Sequence, residues 1–428
     1  MTSFTKRLAV FLILNSVVLN MALFLWRHEA NTLYYTYGYV TGIAGGDSWA
    51  PMRRALRNFE SSHGSQSLYA ELYTQEAVKF QYPPTSLLAI QALRSEDLPS
   101  DRFLNAIAWL AVAVTALLIA AISKLTFESP PRVFAIDTKW RYAVLLAFAG
   151  FATVTFYPVV KAYNLGQAQT WINLLFPAAV LLYMTDRKRA SGAVCGIICA
   201  IKPQLGLLLV WGLLRKEWRF SIGLAAAAAV VGSISLWIYG LNNHVAYLQV
   251  LSFLSQHGEG FYGNQSVNGL LNRMLGNGNN LVWDAHGFPP YNGWVYAGTL
   301  ISSAVIIGLA LFWRSGDHRQ AEVVDFVIAA LSFTVASPIA WEHHYGIMLP
   351  MFAIALPAVL KLPEPRSGSL LLLAVSYVLS SNYYKLANES AATPFNFLQS
   401  YLFLGAVLLL ILLYHLRGAR YHAAEVRA

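Results

Sequence analysis

The sequence predicts an all-α protein, a polytopic transmembrane helical bundle of about ten full spans plus two short or broken membrane segments. Three observations predict it. Hydrophobic residues make up 57% of the 428 and charged residues only 12%, with a mean hydropathy of +0.48. Soluble domains carry roughly 25% charged residues, so water is not the main solvent of this chain. Long apolar runs recur from Leu8 to Leu416, many of them close to the ~20 residues that cross a bilayer. Short basic clusters separate these runs and no soluble domain is appended, so residues 1–428 are expected to form a single membrane domain.

The first run, Leu8 to Trp26, follows Lys6 and Arg7 as a signal peptide would. It lacks a small-residue cleavage site and ends in the interfacial anchor Leu25-Trp26-Arg27, so it reads as a retained span. The positive-inside rule then places seven basic clusters in the cytoplasm: Lys6/Arg7, Lys124 to Arg141, Arg187 to Arg189, Arg215 to Arg219, Arg314/Arg319, Lys361/Arg366 and Arg417/Arg420/Arg427. Crossings at 8–26, 103–123, 142–160, 169–184, 220–239, 294–313, 322–340, 345–360, 370–382 and 397–416 satisfy every cluster with both termini inside. Two apolar segments must then not cross as single spans. Tyr82 to Leu93 is too short, and Gly192 to Leu214 is flanked by basic clusters on both sides. The latter is interrupted at Ile201-Lys202-Pro203-Gln204, where proline removes a helix hydrogen bond and drives Lys202 from helical geometry. Two half-helices meeting at Lys202 are expected, as occurs where backbone lines a cavity. A kinked helix with Lys202 snorkelling is the competing reading.

The outside segments are then 27–81, which holds an interfacial helix, 161–168, the long loop 240–293, 341–344 and 383–396. They are poor in Lys and Arg and hold most of the unusual polar clusters, which directs the search for chemistry to the extracytoplasmic face of a cell membrane. The formal charge of +9 does not imply nucleic acid, because the basic residues sit at span ends. The two cysteines, Cys195 and Cys199, exclude both a disulfide framework and a structural zinc site. No internal repeat, heptad run or low-complexity tract is visible.

Gly45-Gly46-Asp47-Ser48 precedes Trp49, Met52, Leu56 and Phe59, spaced for one face of an amphipathic helix at the membrane surface. Asp47 or Ser48 is then either the helix N-cap or, for Asp47, an exposed carboxylate held by a glycine turn as a general base. Tyr82-Pro83-Pro84 bends the chain into the bilayer. Asn164, Gln167 and Gln169 crowd three amides into a short loop, suited to sugar hydroxyls or to helix capping. Asn264-Gln265-Ser266-Val267-Asn268 is followed by Arg273, a solitary arginine that suits a phosphate or carboxylate, or an ion pair with Glu259 or Asp284. Asn264-Gln265-Ser266 also fits the N-glycosylation pattern. The most specific stretch is Ser337 to Tyr345, with Trp341, Glu342, His343 and His344. Adjacent helical side chains point about 100° apart, so His343 and His344 suit anion or proton handling better than a shared metal ion.

Taken in order, Asp47, Tyr82-Pro83-Pro84, Gly166-Gln167, Lys202-Pro203-Gln204, Asn264-Gln265-Ser266 and Ser337 to His344 resemble glycosyltransferase family 87. This group of the GT-C superfamily includes polyprenol-phosphate-mannose-dependent α-mannosyltransferases. The resemblance runs from the first span to about residue 360, and Trp341-Glu342-His343-His344 and Lys202-Pro203-Gln204 carry most of it. Two departures are Trp49, where a tyrosine slightly further on is more usual, and Ala340, where Ser or Thr commonly precedes the tryptophan.

The resemblance implies a polyprenyl-phosphate sugar as donor, mannose above other hexoses, a lipid or glycan acceptor outside the cytoplasm, and Asp47 as catalytic base. The chemistry also fits the residues directly. A departing phosphate needs cations or donors, for which Lys202, Arg273, His343 and His344 are the candidates. Gln167, Gln204, Asn264, Gln265, Trp341 and Glu342 are the candidates for sugar or acceptor. No cofactor beyond the lipid-linked donor is expected, with a divalent metal left open, and the partners expected are the donor, the acceptor and membrane lipids. After Asp47, the next carboxylates are Glu60, Glu71 and Glu342. A transporter with a midplane substrate site is the alternative function, and a non-catalytic scaffold is a third.

Overall fold

The computed structural model describes residues 3–64, 67–69, 80–128, 138–284, 287–313 and 319–425. Of the expectations above, Glu71, Arg314 and Arg427 lie outside them, as do residues 129–137 of one basic cluster and the side chains of Arg141, Arg319 and Arg420.

The chain opens with α1 (Ser3–Ile13) and α2 (Leu19–Arg27), one continuous rod through a π-helical turn at Leu14–Val18. Two short helices follow, α3 (Thr32–Thr41) and α4 (Trp49–Ser61). The Tyr82-Pro83-Pro84 bend leads into α5 (Leu87–Ala92), then the long α6 (Asp101–Glu128) and α7 (Thr138–Val154). α8 (Tyr157–Leu165) leaves α7 at 57°, so the expected crossing at 142–160 is bent rather than straight. Phe156 is extended, and Pro158 enters the first turn of α8, where its missing N–H costs nothing.

α9 (Gln169–Met184) returns toward the basic end, and α10 (Lys188–Cys199) and α11 (Leu207–Leu214) are the two expected half-helices. Lys202 stands between them at φ −127°, ψ 87°, out of the helical region as the following proline requires. α12 (Trp218–His257) turns at Gly240, whose φ of +74° favours glycine, and then runs on as helix. The expected outside loop 240–293 therefore begins with helix, which the sequence reading missed. α13 (Val267–Met274), α14 (Gly293–Phe312) and α15 (Arg319–Val335) precede a 3-10 turn at Glu342–Ile347. α16 (Met348–Leu360), α17 (Ser367–Ser381) and α18 (Tyr401–Glu425) complete the bundle. Among the described residues there is no strand, only one isolated bridge between Asn264 and Trp341.

Six described helices are long and apolar enough to cross a membrane, seven if the bent α7–α8 pair counts as one. The expected crossings at 169–184 and 370–382 are real helices, but shorter than the roughly 20 residues of a straight span.

Several of the basic clusters meet in space. Lys188 pairs with Glu217 at 2.7 Å and Glu322 at 2.9 Å, Arg215 pairs with Asp325 at 2.6 Å, and Arg417 reaches the same Asp325. Basic clusters distant in sequence thus meet at one end of the bundle. Close packing of α10 on α12 makes this hairpin: a Cβ on Gly192 would stand 2.0 Å from the Phe220 carbonyl, and one on Gly223 would stand 2.0 Å from that of Arg189.

Candidate active site

The polar clusters of the other end converge. The C-terminus of α8 presents three carbonyls, and the glycine turn caps them: Gly45 N donates to Asn164 O at 2.8 Å, Asp47 N to Leu165 O at 2.9 Å and Ser48 N to Gly166 O at 3.1 Å. This seating needs glycine on both sides. Gly166 lies at φ +70°, and a Cβ there would meet the Gly45 carbonyl at 2.2 Å. Two loops more than a hundred residues apart are thereby fused into one wall.

The Asp47 side chain does not cap α4, and neither does that of Ser48. Gln167 instead donates its Nε2 to Asp47 Oδ2. The orientation of that amide is fixed by its oxygen, which accepts from Ser48 Oγ at 2.8 Å and from the Tyr82 hydroxyl at 2.8 Å. The Tyr82 and Ser48 hydroxyls stand 2.7 Å apart; with one proton each, either both donate to the Gln167 oxygen or one of them donates to the other. The expected sugar contact of Gln167 is therefore a grip on the carboxylate, and Tyr82 is more than a bend. Asp47 itself is exposed to solvent at its surface, with protein packed around its base. That surrounding protein raises its pKa from the usual carboxylate value, while the Gln167 hydrogen bond and the charge of Lys161 oppose the rise.

The apolar stripe of α4 is as expected, but it faces protein. Trp49, Met52 and Leu56 are buried in one cluster with Leu87, Ile90, Leu104 and Tyr239. Arg53 pairs with Asp101 at 2.8 Å, and Glu60, a fallback carboxylate, pairs with Arg94 at 2.5 Å.

Three residues past Tyr82, Thr85 Oγ1 donates to the Ala200 carbonyl at 2.7 Å, tying the Asp47 wall to the α10–α11 break. Lys202 is buried there, 7% exposed, with no side-chain hydrogen bond or ion pair among the described residues. Its charge falls on both His343 and His344. The two imidazoles stand edge to face with centroids 4.8 Å apart. Trp341 N donates to His344 Nδ1 at 3.2 Å, so that nitrogen is an acceptor and the proton of a neutral ring sits on Nε2, a donor free for a ligand. Gln204 is half-buried with no side-chain partner among the described residues, and the Trp341 ring is half-exposed. Behind them, beside Gly346, Asn173 Nδ2 and Gln169 Oε1 are buried without partners. Among the described residues no three His, Cys, Asp or Glu side chains come together to hold a metal ion.

Four of the candidate residues make most of their polar contacts within the protein. Asn264 donates to Glu259 O and Pro338 O and accepts from Ala340 N, while Gln265 donates to Tyr262 O and Gln399 O and accepts from Phe403 N. Both are fully buried, and their amides pin the long loop to the Ser337–Tyr345 turn. Arg273 is 2% exposed and donates to Phe261 O at 3.1 Å, Asn264 O at 3.0 Å and Ser400 Oγ at 2.6 Å. The guanidinium thus braces the loop through its terminal nitrogens, while Nε is buried without a partner among the described residues. Glu342 is buried under Tyr157, whose hydroxyl donates to it at 2.7 Å, and acts as a counter-charge to Lys161 and Arg273.

Lys161 is a half-buried cation at this end of the bundle that the sequence reading passed over. It lies on α8, donates to the Tyr35 hydroxyl at 2.9 Å and stacks its charge 4.5 Å from that ring, with Tyr157 and Tyr383 packed alongside. The signal was present: Lys161 is a lone cation in an outside segment otherwise free of Lys and Arg.

Residues 80–338 match the model of a family described as Glycosyltransferase family 87. A polyprenol-phosphate-mannose-dependent alpha-(1-2)-phosphatidylinositol pentamannoside mannosyltransferase of Mycolicibacterium smegmatis is 23% identical over 317 residues, 72% of this chain and 70% of that protein. A polyprenol-phosphate-mannose-dependent alpha-(1-2)-phosphatidylinositol mannoside mannosyltransferase of the same organism is 26% identical over 286 residues, 64% of this chain and 61% of its own length. An alpha-(1->3)-arabinofuranosyltransferase of Mycobacterium tuberculosis is 25% identical over 190 residues, 44% of this chain and 41% of that protein. The matches thus span less than two thirds of the second and third relatives. No solved structure matches. The family match begins after Asp47 and ends before Trp341, so the roles of those two walls rest on geometry.

Proposed function

The chain belongs to glycosyltransferase family 87, and from that premise we propose that it moves a hexose, mannose in the first instance, from a polyprenyl phosphate to a hydroxyl of a lipid or glycan acceptor. The observation that carries the reading is the pairing of two unlike groups at one end of the bundle. Asp47 is a carboxylate held by Gln167, and Lys202, tied to the same wall through Thr85, is a buried amine with no ion pair among the described residues.

Each group has one task. The acceptor hydroxyl oxygen attacks the anomeric carbon, the bond from that carbon to the donor phosphate breaks, and Asp47 takes the hydroxyl proton. Negative charge then grows on the departing polyprenyl phosphate, where Lys202 supplies the charge and His344 Nε2–H and His343 the hydrogen bonds. Trp341 offers a ring face and Gln204 a free amide to the sugar. By the loop charges this end of the bundle lies on the extracytoplasmic side of a cell membrane. Arg273, Asn264, Gln265 and Glu342 build it without touching substrate. No metal enters the scheme.

The test is transfer of radiolabelled mannose from polyprenyl-phosphate-mannose to membrane lipid by the purified protein in liposomes, with a lipid and glycan comparison of cells with and without the gene. One hexose missing from one product supports the reading. Intact donor in the first assay and unchanged products in the second would discard it, and solute flux without donor would replace it by transport.

A further inference from the structure

We propose that the tyrosine-lined seat of Lys161 is a second anion-binding subsite, which takes a phosphate or carboxylate borne by the acceptor. This rests on the chain being a glycosyltransferase and adds the chemical class of the molecule it glycosylates.

The seat is built from direct contacts. Lys161 Nζ donates to the Tyr35 hydroxyl at 2.9 Å and stands 4.5 Å from the Tyr35 ring and 5.9 Å from the Tyr383 ring. Tyr157 packs against both rings, with centroids 5.3 Å from Tyr35 and 5.1 Å from Tyr383. Ring faces hold a cation without discharging it. Lys161 makes no ion pair among the described residues, and the Glu342 carboxylate accepts instead from the Tyr157 hydroxyl at 2.7 Å and the Tyr401 hydroxyl at 3.4 Å.

The protons of the seat give the ligand its character. An ammonium carries three N–H donors, and Tyr35 receives one of those of Lys161. The proton of the Tyr35 hydroxyl itself has no acceptor in the protein among the described residues. Tyr262 and Tyr383 share one hydrogen bond at 2.9 Å, so one of their two hydroxyl protons is also unspent. Lys161, Tyr35 and Tyr262 are half-buried, which leaves the seat open at the surface. Donors in excess of acceptors around an unpaired cation suit a group that only accepts, a phosphate or a carboxylate. A neutral sugar would leave the charge unmet.

Two connections make that group part of the acceptor. Asn164, three residues after Lys161 on α8, donates Nδ2 to Tyr35 O at 2.7 Å and takes the Gly45 N–H on its carbonyl at 2.8 Å, so the seat and the Asp47 turn share one helix end. On the other side, half-exposed rings lead from the seat to the histidine turn, Tyr262 to Phe261 at 4.3 Å and Phe261 to Trp341 at 6.4 Å. Asp47 then addresses the hydroxyl of this molecule and Lys161 its anionic group, while Lys202 keeps the donor phosphate.

The experiment has a binding arm and a transfer arm. In the first, thermal unfolding of Lys202→Met in detergent is followed with mannose 6-phosphate, mannose and inorganic phosphate, since a ligand of the folded state raises the melting temperature. Mannose 6-phosphate should stabilise more than either of the others, Lys161→Met added to Lys202→Met should abolish the difference, and Lys161→Arg should keep it. Equal stabilisation by inorganic phosphate would make this a free-phosphate site and overturn the inference, as would no stabilisation by either. In the second arm, lipids of cells lacking the gene are split by anion exchange, and labelled mannose from polyprenyl-phosphate-mannose should enter the anionic fraction. Lys161→Met should raise the KM for that fraction about tenfold or more, the worth of a charged hydrogen bond, and leave the donor KM within about threefold. Label in the neutral fraction, or a shift in donor KM alone, overturns the inference. So does failure of both Lys161→Met and Lys161→Gln to fold while Lys161→Arg folds, because the lysine is then structural. A parent that transfers to neither fraction refutes the glycosyltransferase reading, and the binding arm still decides the anion site.

Discussion

The Gln167 amide donates to Oδ2 of Asp47 while its oxygen accepts from Ser48 and Tyr82, so two hydroxyls decide which way the amide faces the carboxylate. A flipped amide would set oxygen against oxygen. The arrangement leaves the second carboxylate oxygen for an acceptor proton.

Asp47→Asn should lower transfer by about 100-fold to 10,000-fold, the usual cost of losing a general base. Because neither Asp47 nor Ser48 caps α4, the substitution removes no cap. The folded state raises the Asp47 pKa, so ionisation works against the fold, and its stabilising contribution is lost as pH rises from the ordinary carboxylate value through the raised one. At neutral pH the neutral Asn variant should melt at or above the parent temperature. Turnover within about threefold of the parent would take Asp47 out of the mechanism.

Gln167→Leu should cut kcat/KM by about tenfold and shift its acid limb to higher pH, because a hydrogen bond that favours the charged carboxylate is lost. Tyr82→Phe should do the same more weakly, since it loosens the amide without removing it. An acid limb that moves down in Gln167→Leu contradicts the assigned bond.

Lys202→Met should separate function from stability. A buried cation without a partner costs the fold, so the isosteric apolar side chain should raise the melting temperature. Transfer should fall by about 100-fold, with donor binding weakened, if the phosphate supplies the missing counter-charge. A variant that melts lower and turns over normally would show Lys202 to be structural.

Arg273→Ala should behave oppositely. It leaves the Asn264 carbonyl without its donor, at about 1–3 kcal/mol for an unsatisfied group, while the Phe261 carbonyl keeps only the Asn264 N–H. Thermal unfolding in detergent should show a large loss of stability. A stable, folded variant with selectively weakened donor binding would return Arg273 to the phosphate.

For topology, a cysteine at Ser61 in a background lacking Cys195 and Cys199 should react with an impermeant maleimide on intact cells, and one at Arg187 should not. The reverse pattern would invert the assigned faces.

Composition and hydrophobic runs by themselves determined the all-helical membrane class, because the bilayer imposes one length and one polarity on every segment that crosses it. Proline chemistry determined the break at Lys202, and charge counting determined which loops share an end, as the Lys188–Glu217–Glu322 and Arg215–Asp325–Arg417 contacts show. These are local or additive properties of the chain. Which polar residues spend their hydrogen bonds inside the protein is neither, and only the tertiary structure decided it. Asn264, Gln265 and Arg273 read as ligand contacts because amides and guanidinium are the right chemistry, yet long-range backbone partners consume their hydrogen bonds. Gln167 turned from sugar to Asp47 because Gly45 and Gly166 let two distant backbones touch. Asp47 gained its seat because helix α8 ends where the glycine turn begins, a proximity that exists only once the chain has folded.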